Sequence, residues 1–270
     1  MRDWILSYLS ELASWVLLTL GVILLCGLTV ELCATVFSRL IGRGSGTVFD
    51  LTAVIGTPVH ELGHAAMCLL FAHRIERVRL WSPRARNGMY GFVEHSYNRR
   101  NLWARLGNLL IGVGPIFSGL GVTVLTLWLC FPTQWNAHLS ASAALLEASP
   151  APVQVLRQSL SLLASLPSAF QADWLRSLVG LLVILSVCLH IRLSWQDIKG
   201  SAGAFPLYLA LCAILSLFAK LLGWQSAILH GLRLWSLQLL ALFVLVLAFS
   251  LLWLALALLV CLFRAIKRAF

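Results

Sequence analysis

Runs of about 20 or more apolar residues recur along this chain, and no other feature restricts its fold so strongly. A bilayer core about 30 Å thick is crossed by roughly 20 residues of helix, whose backbone groups are all satisfied internally. The runs lie at Leu12–Phe37, Val48–Ala72, Leu106–Phe131, Trp174–Trp195, Ala204–Leu222 and Leu234–Phe263. They predict an all-α polytopic membrane protein with about six transmembrane helices. Charged residues are 11% of the chain, against about 25% in a soluble domain. With no long internal repeat and no domain-separating linker, residues 1–270 read as one membrane domain.

The net charge of +10 sits in short loops beside the apolar runs, which is the pattern of positive-inside loops and anionic headgroups, not of a nucleic-acid partner. Between His73 and Arg105, eight arginines (Arg74, Arg77, Arg79, Arg84, Arg86, Arg99, Arg100 and Arg105) oppose only Glu76 and Glu94, which assigns this loop to the cytoplasm. With Arg192, Lys199 and the basic C-terminal residues, the bias puts both termini in the cytoplasm, although Arg39, Arg43 and Arg233 then fall on the other side. Within the loop, Val78–Trp81 and Tyr90–Val93 read as short strands around the turn-rich Ser82–Gly88. The expected result is a small β-hairpin at the cytoplasmic membrane surface, either a connector or an edge for an extended peptide. Pro132–Ala172 leans polar, and Val153–Leu166 reads as an amphipathic helix at the outer interface. The first run is too long for a cleaved leader and is read as a retained helix. The seven cysteines fall mostly in apolar spans without a C-x-x-C pair, so they read as small buried residues rather than disulfides or thiolate ligands.

One polar cluster breaks the second run: His60-Glu61-Leu62-Gly63-His64. On a helix, the two histidines stand one turn apart on one face and can share a metal ion. Glu61 beside them can act as general base toward a metal-activated water. Surface or ordinary core histidines would be the plain reading, but the flanking residues leave little polar surface, and polar groups at membrane depth are costly without compensation. Thr57-Pro58 precedes the motif and predicts a break or a simple bend. A catalytic zinc needs a third protein ligand and an open position. Asp50, about ten residues earlier, is roughly 15 Å away along the helix. Glu31 ends another span, Glu147 and Asp173 belong to the outer loop, and Glu94 and His95 to the hairpin. Asp197, at the inner end of a span running parallel to the second, is best placed; its alternative is a solvent-facing partner of Lys199. His190, two turns earlier, either bonds within the site or is an interior histidine. The third span holds Gly107, Gly112, Gly114, Pro115, Gly119 and Gly121, for close helix packing or for shaping a site.

With these residues the chain resembles the site-2 protease family of intramembrane zinc metalloproteases. The likeness rests on His60–His64, on Gly114-Pro115 in the next span, and on Asp197 with Gly200 in the one after, over residues 48 to 202. Ser118 stands where the family commonly has Asn after its Gly-Pro element. The third motif carries Gln196 and Ile198 in place of Leu and Gly. The resemblance implies Zn²⁺ held by His60, His64 and Asp197, with Glu61 as catalytic base. It implies a substrate backbone near Gly114, Pro115 and Ser118, and the hairpin residues Tyr90 and Phe92 as further substrate contacts. The substrate would be a transmembrane or membrane-associated protein, and the setting a bacterial cytoplasmic membrane. The rival expectation is a non-proteolytic metal-binding membrane protein, either a pseudoprotease scaffold or a metal transporter or sensor.

Overall fold

The computed structural model describes residues 1–83, 89–148 and 150–269. Helices dominate. α1 (Arg2–Val16) continues through a π-helical turn at Leu17–Gly21 into α2 (Val22–Ile41), giving one rod of 40 residues. Gly42, at φ +63, reverses the chain into α3 (Ser45–Leu70), the helix of the histidine motif. A two-stranded antiparallel sheet follows, β1 (Arg74–Arg79) with β2 (Phe92–Ser96). Then come α4 (Leu102–Cys130), α5 (Pro132–Glu147), α6 (Pro152–Ala172), α7 (Trp174–Cys188), α8 (Trp195–Ala202), α9 (Phe205–Leu221) and α10 (Gln225–Ala269).

Three helices are long and apolar enough to cross a membrane: the α1–α2 rod, α4 and α10. The α8–α9 pair, bent by 59°, makes a fourth if taken as one broken span. Their outward faces carry Leu25, Leu28 and Leu32 on α2 and Leu258, Leu259 and Leu262 on α10, all exposed. So continuous an apolar surface is stable against lipid and not against water. Six spans is more than these helices supply. α7 has only 15 residues and stops at Cys188, short of the expected Trp195. α3 is long enough but too polar, because Thr52, Thr57, His60, Glu61 and His64 lie along it.

The expectation of both termini on one face is corrected. Near the start of α10, Leu229 and Arg233 share a groove with Ser14 and Leu18 of the α1–α2 rod. Near its end, Cys261 Sγ reaches Leu40 O at 3.1 Å and Arg264 Nη1 donates to Ile41 O at 3.0 Å. The two longest helices therefore run parallel, and the start of α1 lies at the opposite end of the bundle from the end of α10. Arg39 and Arg264 thus lie at one end of the bundle, while Arg233, beside Ser14, stays at the other.

The hairpin exists, shifted from its expected limits. Val93 pairs with Val78 and Phe92 with Arg79, but the strands extend toward Arg74 and Ser96 rather than toward the turn, with a register irregularity between Ile75 and Arg77. Residues 84–88 of the expected turn lie outside the described residues. Pro132–Ala172 forms a helical pair, α5 and α6, in which the amphipathic stretch is longer than Val153–Leu166. The main core joins α2, α4, α6, α7 and α10 through Ile116, Leu127, Phe131, Ile184 and Val246. All seven cysteines are free.

Candidate metal centre

α3 and α4 cross antiparallel at Gly63 and Gly114. A Cβ on Gly63 would stand 2.6 Å from Gly114 O and 2.5 Å from Ser118 Oγ, so only glycine permits this approach. Ser118 Oγ donates to Val59 O at 2.7 Å, and Pro115 is fully buried. Gly114 and Ser118 lie in the helix contact, Pro115 is buried beside them, and none of the three is among the residues lining the neighbouring cavity. Their part is indirect: they set the height and rotation of the helix turn that carries His60 and His64.

The third element arrives by a break in a helix. After Cys188 the chain turns at Leu189 and His190, passes without regular structure through Ile191–Leu193, and Ser194 restarts it as N-cap of α8. Ser194 Oγ accepts from Asp197 N at 3.1 Å, while Asp197 Oδ2 accepts from Ser194 N at 2.9 Å, a reciprocal cap. This holds the other oxygen, Oδ1, toward α3, at 3.3 Å from His64 Nε2. His64 Nε2 is in turn 3.2 Å from His60 Nε2.

These two separations, with the ligand atoms of all three residues within 4.8 Å of one another, suit one ion. Zinc bonds of about 2.0–2.1 Å in tetrahedral directions put neighbouring ligand atoms roughly 3.3 Å apart. The outer nitrogens are fixed as well. His60 Nδ1 lies 2.8 Å from His190 O and His64 Nδ1 lies 2.8 Å from Ile111 O. A carbonyl only accepts, so each Nδ1 carries the proton and each Nε2 lone pair is free to bind. A proton between the three inner atoms would satisfy one pair of them, whereas a divalent cation satisfies all three. His60, His64 and Asp197 thus fit zinc by distance, tautomer and donor chemistry. Glu61 is buried on the same turn and lines the same cavity, of about 340 Å³.

Tyr90 and Phe92 also line this cavity. Tyr90 donates to Asp50 Oδ1 at 2.7 Å, which ties the hairpin tip back to the first part of α3. Burial, then the bond to Asp50 and its charge, push the Tyr90 phenol up to about 12, so it stays a donor at neutral pH. Gly91 is pressed between Glu61 Cγ and the carbonyls of Arg79 and Leu80, where a Cβ would meet each at 2.7–2.9 Å. The hairpin tip therefore packs along α3 over the turn that carries Glu61.

Of the two alternatives for His190, the structure shows bonding within the site. His190 supplies its carbonyl to His60, and its Nε2 lies 3.1 Å from Thr52 Oγ1. Arg192 lines the cavity, with its guanidinium 3.8 Å from Glu31 and stacked over Phe49 at 5.6 Å. Glu31, which sequence places near the end of another span, thus faces the site neighbourhood. A charged residue inside an apolar stretch was the available signal for Arg192. The carbonyl of His190 had none, because backbone acceptors leave no mark in composition. Glu94, the other acid near the motif, pairs with Arg77 at 2.7 Å. Comparison with protein-family models, curated proteins and solved structures gives no match to this chain.

Proposed function

We propose that the protein is a zinc metalloprotease of the membrane, similar to the site-2 family, that hydrolyses a peptide bond of a transmembrane or membrane-associated protein. The observation that carries this reading is the triangle of His60 Nε2, His64 Nε2 and Asp197 Oδ1, with edges of 3.2 and 3.3 Å and both Nδ1 atoms tied to carbonyls. A zinc ion held there would supply Lewis acidity and bring the pKa of a water toward about 7.

The chain's own residues account for the remaining chemistry. Glu61 takes the proton of the attacking water and returns it to the departing amine, because it is buried and lines the same cavity. His190 and Ile111 keep both imidazoles oriented through the cycle. Arg192 lines the cavity, and its positive charge would favour the negative charge that develops on the substrate carbonyl oxygen. The substrate enters as an extended strand, since a helical carbonyl is already bonded within its own helix. Its path lies past Tyr90 and Phe92, so the Tyr90–Asp50 bond has to yield before a chain can reach Glu61. The cytoplasmic face in this reading is the end that bears the hairpin, Arg192 and Arg264.

The test is a pair of measurements on purified protein in lipid: bound zinc, and cleavage of a single-span candidate substrate. Glu61→Gln is expected to keep zinc and lose cleavage. Equal cleavage by the native chain and Glu61→Gln overturns the proposal.

A further inference from the structure

A second group of metal-binding side chains lies at the far end of α3, one helical turn past His64. Cys68, His73 and His95 offer ligand atoms that all stand within 4.8 Å of one another. Cys68 and His73 are buried, at 0% and 4% exposure. The three come from separate places. Cys68 belongs to α3, His73 to the turn after it, and His95 to β2.

The turn is built to bring His73 back over the helix end. Ala72 adopts φ +55, a left-handed conformation that a residue with a Cβ enters against its steric preference. In return the amide of His73 bonds to Cys68 O at 2.8 Å, closing the helix on the residue that carries the thiol.

The protonation pattern again points inward. His73 Nε2 lies 2.8 Å from Ala104 O, a pure acceptor, so this nitrogen carries the proton and the Nδ1 lone pair is free. That lone pair faces His95 Nδ1 at 2.9 Å. Beside them is the Cys68 thiol, fully enclosed and making no hydrogen bond among the described residues. A hydrogen bond from His95 explains the two rings and leaves the sulfur idle. An ion uses all three donors. Bonds of about 2.0–2.1 Å to nitrogen and 2.3 Å to sulfur need ligand atoms roughly 3.3–3.6 Å apart. The two imidazole nitrogens, 2.9 Å apart, have to open by about half an ångström, and the sulfur, within 4.8 Å of both, has to close on them; His95 sits on a two-stranded sheet with a register irregularity nearby, where such adjustment is available.

We propose that Cys68, His73 and His95 form a second metal site, distinct from the His60–His64–Asp197 centre, which takes a borderline d¹⁰ cation such as Zn²⁺. One thiolate and two imidazoles match that class of ion and reject calcium and magnesium, which take oxygen ligands. Such an ion joins α3 to β2, while His73 holds the same corner to α4 through Ala104. It therefore fixes the hairpin that carries Tyr90 and Phe92 over the cavity. Cys68 is then a ligand, not the inert apolar residue its sequence context suggested.

The test uses the full chain in detergent, stripped with a chelator and titrated with Co²⁺, whose thiolate complexes absorb in the near ultraviolet by charge transfer. The native chain is expected to bind two equivalents, one of them with that band. Cys68→Ser should abolish the band and one equivalent, and His95→Gln should weaken the band's titration at least tenfold with the thiol still present. The His60→Ala/His64→Ala variant should lose the other equivalent and keep the band. Failure of the catalytic reading therefore leaves this signal untouched. A saturated native chain without a charge-transfer band overturns the proposal, and so does a band that survives both Cys68→Ser and His95→Gln. If Cys68→Ser does not fold, His95→Gln decides alone, because it alters only a half-buried strand residue.

Discussion

Adding one methyl group at Gly63 tests whether the helix crossing positions the metal centre. In Gly63→Ala the new Cβ would lie 2.6 Å from Gly114 O and 2.5 Å from Ser118 Oγ, where ordinary contact begins at 3.4 Å. Ser118 can rotate away, but Gly114 O belongs to the backbone of α4. The two helices must separate by 3.4 − 2.6, or about 0.8 Å, unless both bend. Zinc–ligand distances tolerate about 0.2 Å, so a displacement of this size, applied between the two histidines, pulls the imidazoles off the position set by Asp197. Overpacking of this kind costs about 1–3 kcal/mol of stability. The control is Gly121→Ala on the same α4, where an added Cβ meets nothing within 4 Å and relief of backbone entropy favours alanine by roughly 0.5–1 kcal/mol. Thermal unfolding in detergent, with zinc content read on the same samples, gives both quantities. Gly63→Ala should melt below the native chain and bind zinc at least tenfold more weakly, while Gly121→Ala should match or exceed the native chain in both. Equal behaviour of the two variants would refute the close-approach argument.

Other perturbations separate the roles of single groups. Glu61→Gln should lower cleavage by about 10²–10⁴-fold with zinc retained, as expected for loss of a general base; parallel loss of zinc would instead make Glu61 a ligand. Asp197→Ala should release zinc and cleavage together, read by metal analysis after dialysis, and a variant that holds zinc as tightly as the native chain would remove Asp197 from the centre. Tyr90→Phe deletes the 2.7 Å bond to Asp50 and should speed hydrogen exchange at residues 89–93; unchanged exchange there would mean that the tip is held by other contacts. Ser118→Ala loses one hydrogen bond to Val59 O, so it should lower stability by about 1 kcal/mol and leave the apparent affinity for substrate unchanged.

Sequence and tertiary structure divide this protein along a physical line. Helical character, the candidate membrane-crossing runs and the His60–Glu61–His64 face follow from local spacing: 3.6-residue periodicity places His60 and His64 together whatever surrounds them. The hairpin too was legible, since its β-branched and aromatic residues flank turn-forming ones, although its register was not. Asp197 could be selected by elimination, because acidic residues are scarce in this chain. How it reaches His64 could not be foreseen. That depends on the helix stopping at Cys188 and restarting at Ser194, and a continuous apolar run does not announce such a break. The same limit explains the termini. Loop charges report a side only relative to an assumed count of crossings, whereas the parallel pairing of the α1–α2 rod with α10 is a packing fact between residues more than 200 positions apart. Gly114, Pro115 and Ser118 looked like site residues, since small and polar groups serve helix contact and ligand contact equally well. Only the neighbouring backbone of α3 decides which. Cys68 is the sharpest case: its local sequence is that of a buried apolar residue, and its meeting with His73 and His95 exists only once a helix end, a left-handed turn and a strand are folded onto one another. Sequence therefore determined which groups lie on each helix face, because that is local geometry. Tertiary structure decided which faces meet, because that depends on long-range packing and on backbone carbonyls that are the same at every position in the chain.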